Sequence, residues 1–168
     1  MKFFLTSIFI ILISISDFAF NGVKTNNIEK IIPNDWQHWK SAGAQLDLKP
    51  ESNGFLVNII KAGENIHDIQ VYSNNDLQIE KDKHYVLRFK ARSNKQETSF
   101  IARLGSESEE RNYFLRVIKI DNSNKAELKT ISFDQTGDLV KFLKLYFELG
   151  QLDPGTTLEI TDVEIAGE

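Results

Sequence analysis

Apolar and polar side chains alternate residue by residue along much of this chain, and that period of two constrains the fold more than any other feature. In YVLRFKARS, Tyr85, Leu87, Phe89 and Ala91 fall on one face, and Val86, Arg88, Lys90 and Arg92 on the other. SFIARLG sets Phe100, Ala102 and Leu104 against Ile101 and Arg103. FLKLYFELG sets Leu143, Leu145, Phe147 and Leu149 against Phe142, Lys144, Tyr146 and Glu148. A two-residue repeat is the signature of an extended strand with one buried face. GFLVNIIKAG, NIHDIQVYS, NYFLRVIKI, LKTISFD and TLEITDVEI read the same way. Turn-forming clusters separate them: SNNDL, EKDK, GSESEE, DNSNK, QTGD and LDPGT. Short strands at this spacing, with no amphipathic helical stretch, predict an all-β fold: an antiparallel two-sheet β-sandwich. Each strand then gives one face to the inter-sheet core and the other to solvent, so function must reside on the outer faces. Arg103, Lys144, Tyr146 and Glu148 all project from such faces.

The chain has 168 residues, enough for one domain with a substantial core. Its opening, MKFFLTSIFIILISIS, joins a single lysine to an apolar run over residues 3–16. That run is short for a membrane span. A signal peptide over residues 1–19 is expected, with cleavage after Ser16 or Ala19, the other reading being an uncleaved anchor. Both place the domain outside the cytoplasm, secreted or in a periplasm or cell envelope. Residues 20–33 read as a lead-in and 34–168 as the sandwich. The net charge of −4 argues against nucleic acid as a partner. With no cysteine, a thiol nucleophile and a cysteine-ligated zinc are excluded, and an exported domain must rely on core packing or a bound metal.

No catalytic constellation stands out. LGSESEE lacks the flanking glycine and the strand-turn-helix context of a nucleophile elbow. His38, His67 and His84 are scattered, without metal-ligand spacing. No carboxylate pair identifies itself as a glycosidase dyad. An enzyme is therefore not expected. A small glycoside hydrolase or lyase would require a facing carboxylate pair in a cleft.

The order of segments carries more information. The chain runs from NDWQHWK, which holds both tryptophans, through GFLVNI, NNDLQIEKDKHYVLRFKARS, FIARLG and LKLYFELG to LEITDVEI. In this order it resembles the carbohydrate-binding modules of the family 4/9 group, with residues 77–93 the strongest match and residues 34–166 covered. The resemblance implies a galactose-binding-domain-like jelly roll. It also implies non-catalytic binding of a polysaccharide or oligosaccharide in a groove on the concave sheet. There aromatic rings would stack on the apolar faces of sugar rings, and planar polar groups would pair with hydroxyls.

Carried onto this sequence, the family pattern places Trp36 inside and Trp39 outside as a stacking platform; the competing reading has both rings closing the end of the sandwich. Asn75 would offer an amide, Arg103 a guanidinium and Tyr113 a second stacking ring across the groove; the competing readings are a turn residue in SNND for Asn75, a surface salt bridge for Arg103 and edge packing beside Phe114 for Tyr113. Lys144 and Glu148 stand where glucan-binding members often carry glutamines, with Tyr146 between them. Two opposite charges there imply either a different sugar or lost binding with the charges in cross-strand ion pairs. His67 and Gln70 are further approaches to ligand. Several relatives hold structural calcium near an Asp-Asp-Val motif. Here Thr161-Asp162-Val163 leaves Asp162 as the lone carboxylate, a weak calcium ligand set. The expected function is glycan binding, in support of a separate glycoside hydrolase. The alternative is a cell-envelope module that binds another protein and has a degenerate sugar groove.

Overall fold

The computed structural model describes residues 30–106, 112–121, 124–136 and 140–167. The putting together of the alternating segments is as a jelly-roll sandwich of two antiparallel sheets. The first sheet has the strand order β10 (Glu127–Gln135), β7 (Lys83–Ser93), β12 (Thr157–Gly167), β4 (Gly54–Lys61), β3 (Gln45–Glu51), with β1 (Lys30–Ile31) paired to β12. The second has β2 (Trp36–Lys40), β5 (Ile69–Ser73), β11 (Val140–Glu148), β8 (Thr98–Gly105), β9 (Asn112–Ile120), with β6 (Leu77–Ile79) paired to β11. The expected lead-in thus contributes a strand: Lys30 and Ile31 pair with Ala166 and Ile165.

The apolar faces meet as the alternation predicts. Leu87, Phe89 and Ala91 of β7, Phe100, Ala102 and Leu104 of β8, and Leu143, Leu145 and Phe147 of β11 are all buried in one core. Phe147 is its aromatic hub, with ring centroids 5.4 Å from Phe55, 5.3 Å from Phe89 and 5.8 Å from Trp36. Trp36 is therefore a core plug, and its indole Nε1 is buried without a hydrogen-bond partner. Trp36→Phe removes that unsatisfied donor while it shrinks the ring, and these effects oppose each other. We expect a net cost below about 1.5 kcal/mol in urea denaturation. A loss comparable to that of a large-to-alanine truncation would show that the indole nitrogen has a partner after all.

The two outer faces differ in kind. On the first sheet, Arg92 pairs with Glu159, Arg88 with Glu164, Lys90 with Asp162 and Lys129 with Glu127. This is a solvated mosaic of near-neutral charge, whose pairs each contribute little to stability. On the second sheet the outer face carries aromatic, amide and aliphatic groups.

Candidate functional site

Register aligns the outward residues of the second sheet into rows. Gln37 lies beside Tyr72, Tyr72 beside Tyr146, Tyr146 beside Arg103 and Arg103 beside Leu115. The next row runs Trp39, Gln70, Glu148, Ile101, Val117. Five strands thus place aromatic, polar and aliphatic side chains side by side on one surface.

The centre of this surface is buried, contrary to the expectation that outward side chains face solvent. Arg103 is 2% and Glu148 0% exposed, and Tyr146 is buried too. The reason is lateral: long planar groups lie flat across the sheet and cover one another. The Arg103 guanidinium sits 3.9 Å from the Tyr146 ring centroid. Its Nε donates to Glu148 Oε1 at 2.9 Å and its Nη1 to Asn112 Oδ1 at 3.2 Å. The Tyr72 ring packs 5.6 Å from that of Tyr146, with the Lys144 ammonium 5.2 Å from the Tyr72 centroid. Glu148 therefore pairs across the strands with Arg103, and Lys144 rests over an aromatic ring. A guanidinium held against both a carboxylate and a ring face is fixed in direction and loses little freedom when it acts.

Exposure rises at the margins. Trp39 is 50% exposed on the edge strand β2, and Leu115 and Val117 are exposed on the opposite edge strand β9. At the Glu148 end stands His67, whose Nδ1 lies 2.9 Å from Glu148 Oε2. This approach lacks hydrogen-bond alignment, so the buried Oε2 accepts no hydrogen bond. His67 belongs to a single 3₁₀ turn, Ile66–Asp68, which the chain docks against the end of β11. Asp68 Oδ2 accepts from the Glu64 and Asn65 amides, both at 2.8 Å, and Gly150 N donates to Ile66 O at 2.8 Å. A Cβ at Gly150 would fall 2.1 Å from Asn65 O, an approach that only glycine permits. Gly150→Ala should push the turn away and cost about 1–3 kcal/mol. A denaturation midpoint equal to that of the parent chain would show that the turn yields freely. Beyond His67 a cavity of about 430 Å³ opens between the loops, lined by Ser41, Gly43, Lys61, Glu64 and Asp68 among others.

The family model described as "Carbohydrate binding domain" matches residues 20–157. The chain belongs to this carbohydrate-binding domain family. Solved structures share its fold. One described as "CBM4 structure and function" is 19% identical with a TM-score of 0.66, covering 83% of this chain and 95% of its own. One described as "BiXyn10A CBM1 APO" is 17% identical with a TM-score of 0.63, covering 82% and 96%. The N-terminal cellulose-binding domain of Cellulomonas fimi β-1,4-glucanase C is 17% identical with a TM-score of 0.59, covering 83% and 95%. No curated protein matches the chain.

Within this carbohydrate-binding domain the expected residues separate. Trp39, Arg103, Lys144, Tyr146 and Glu148 share the outer face of the second sheet, joined by His67 and Gln70. Two others do not. Tyr113 packs against the core instead of facing Trp39. The cause is a register shift between Leu104 and Gly105, which pairs Asn112 with Gly105 and Phe114 with Leu104 and leaves Tyr113 as the extra residue. Asn75 acts as a turn residue, its Oδ1 accepting from the Asn34 amide at 2.9 Å and anchoring the approach to β2. Asp162, at a β12 bulge with φ 53°, pairs with the Lys90 ammonium at 2.9 Å. A cation already occupies that carboxylate, and no group of three or more potential metal ligands converges among the described residues. These residues do not fit a calcium site. Tyr72 and Gln37 complete the face without having been singled out in the sequence; the signals were the alternation of IQVYS for Tyr72 and the place of Gln37 between the two tryptophans of NDWQHWK.

Proposed function

We propose that the domain binds a glycan without catalysis, along the outer face of the second sheet. The observation that carries this is the burial gradient across one face: a fixed Tyr146–Arg103–Glu148 floor between exposed Trp39 and exposed Leu115 and Val117. In this reading the covered centre is the base of the binding surface and the exposed margins are its rim. Its aromatic surface suits the C–H faces of sugar rings, and its amides suit their hydroxyls. Trp39 stacks on one sugar ring, Tyr72 presents a second aromatic surface, and Gln37, Gln70 and Lys144 supply polar contacts. Arg103 and Glu148 hold the floor flat. Hydroxyls exchange hydrogen bonds with water at nearly even cost, so stacking dominates the affinity.

In this reading the apolar opening of the chain directs it out of the cytoplasm, to the periplasm, the cell surface or the medium. There it serves a glycoside hydrolase by holding polysaccharide. Affinity gel electrophoresis against a panel of soluble glucans, xylans and uronate-containing polysaccharides tests the binding. Selective retardation by one class is expected, and equal mobility in every gel would overturn the reading.

A further inference from the structure

We propose that Phe142 is a second stacking platform for the glycan, at the opposite end of the face from Trp39, so that the domain recognises an extended chain of several sugars. This rests on the glycan-binding reading above. Phe142 is 69% exposed, more than Trp39 and every other exposed large hydrophobic residue among those described. It also has a φ of 61°. The other described non-glycine residues with positive φ are Asp35, Asp82, Glu97, Asn124 and Asp162, all polar. A left-handed conformation is costly for an aromatic residue, which lacks the local hydrogen bonding that makes it tolerable for aspartate and asparagine.

The strain has a visible origin. β11 pairs with β6 through Val140–Ile79 and Leu143–Leu77, three steps on one strand against two on the other. That bulge sets Lys141 and Phe142 together opposite Gln78 and keeps Leu143 in the core. Without the extra residue the alternation would fail on one side of the bulge, and a small or polar residue would satisfy the turn better than phenylalanine. The chain keeps instead an aromatic ring that buries little of its own surface. Strain and exposed apolar area coincide on one residue, which is the pattern of a binding group and not of a structural one.

Position supplies the ligand. Phe142 follows Tyr146 and Lys144 outward along β11, and β8 ends its pairing with β11 at Gly105 opposite Lys144. Trp39 stands two strands away in the row of Glu148. Between Glu148 and Phe142 the strand covers roughly 20 Å at about 3.3 Å per residue. One sugar cannot touch both rings, and a chain crossing the Tyr146–Arg103 floor can. Phenylalanine has no polar tip, so its contact is with C–H surface alone.

Isothermal titration with oligosaccharides of increasing length, cut from whichever polysaccharide retards the parent chain, tests this with Phe142→Gly and Phe142→Asn. Both variants relieve the backbone, so their denaturation midpoints should equal or exceed that of the parent. Parent affinity should climb with length until both rings are engaged. Both variants should bind short oligosaccharides as the parent does, and long ones roughly tenfold more weakly, the loss of about one aromatic contact. Equal affinity of parent and variants at every length overturns the second platform and leaves the Trp39 site intact. A parent chain that binds no glycan overturns both readings.

Discussion

Arg103→Ala should destabilise the domain by about 3–5 kcal/mol, because it strands a buried carboxylate. Glu148 is fully buried, and Arg103 Nε at 2.9 Å is the hydrogen-bond donor to its Oε1. His67 lies near the other oxygen, but its imidazole is half-exposed and misaligned, so it compensates poorly. The same substitution empties the space over Tyr146. Removing both charges is a different matter. A double change of Arg103→Met with Glu148→Leu deletes the attraction and the desolvation penalty together, and should be markedly milder than Arg103→Ala alone. Urea denaturation followed by tryptophan fluorescence reads both. A cost under about 1 kcal/mol for Arg103→Ala would mean that water reaches Glu148 and that the floor of the face is open.

Trp39→Ala should leave stability within about 0.5 kcal/mol of the parent, as a surface change does. It should weaken glycan binding by on the order of 2 kcal/mol, about thirtyfold, as loss of an exposed indole anchor does. The contrast with Trp36 is the point of the experiment. The two tryptophans sit on one strand, three residues apart, and differ only in which side of the sheet they leave. Trp36 pairs with Ser73 and enters the core, and Trp39 pairs with Gln70 and leaves it. Fold change in affinity at unchanged midpoint separates recognition from packing. A Trp39→Ala chain that still binds as the parent does would move the binding surface elsewhere.

Much of the fold is legible in the alternation. Phe100, Ala102 and Leu104 face inward, and Arg103 faces outward, because a strand has no other way to place them. The site is legible only in part. Arg103, Tyr146 and Glu148 were expected on one outer face and lie there, yet their burial was not expected. Their separation in sequence hides the fact that Tyr146 and Arg103 pair in register. Tyr113 and Phe142 are the instructive pair. Each sits at a bulge, where one extra residue breaks the parity on which the two-residue pattern depends. At β9 the break sends a tyrosine toward the core; at β11 Phe142 keeps the outward side that alternation gives it, and what the sequence hides is its left-handed backbone. Asn75 takes the turn role that SNND offered, while its contact with Asn34, 41 residues away, is one that no local spacing encodes.

The sequence by itself determined that this chain is a two-sheet sandwich with an apolar core between the sheets, because periodic hydrophobicity dictates which face of each strand leaves water. Tertiary structure alone decided which outward residues become neighbours, where bulges reverse the parity, and that a guanidinium, a carboxylate and a phenol shield one another from solvent. Register and lateral packing are properties of paired strands, and no strand carries them alone.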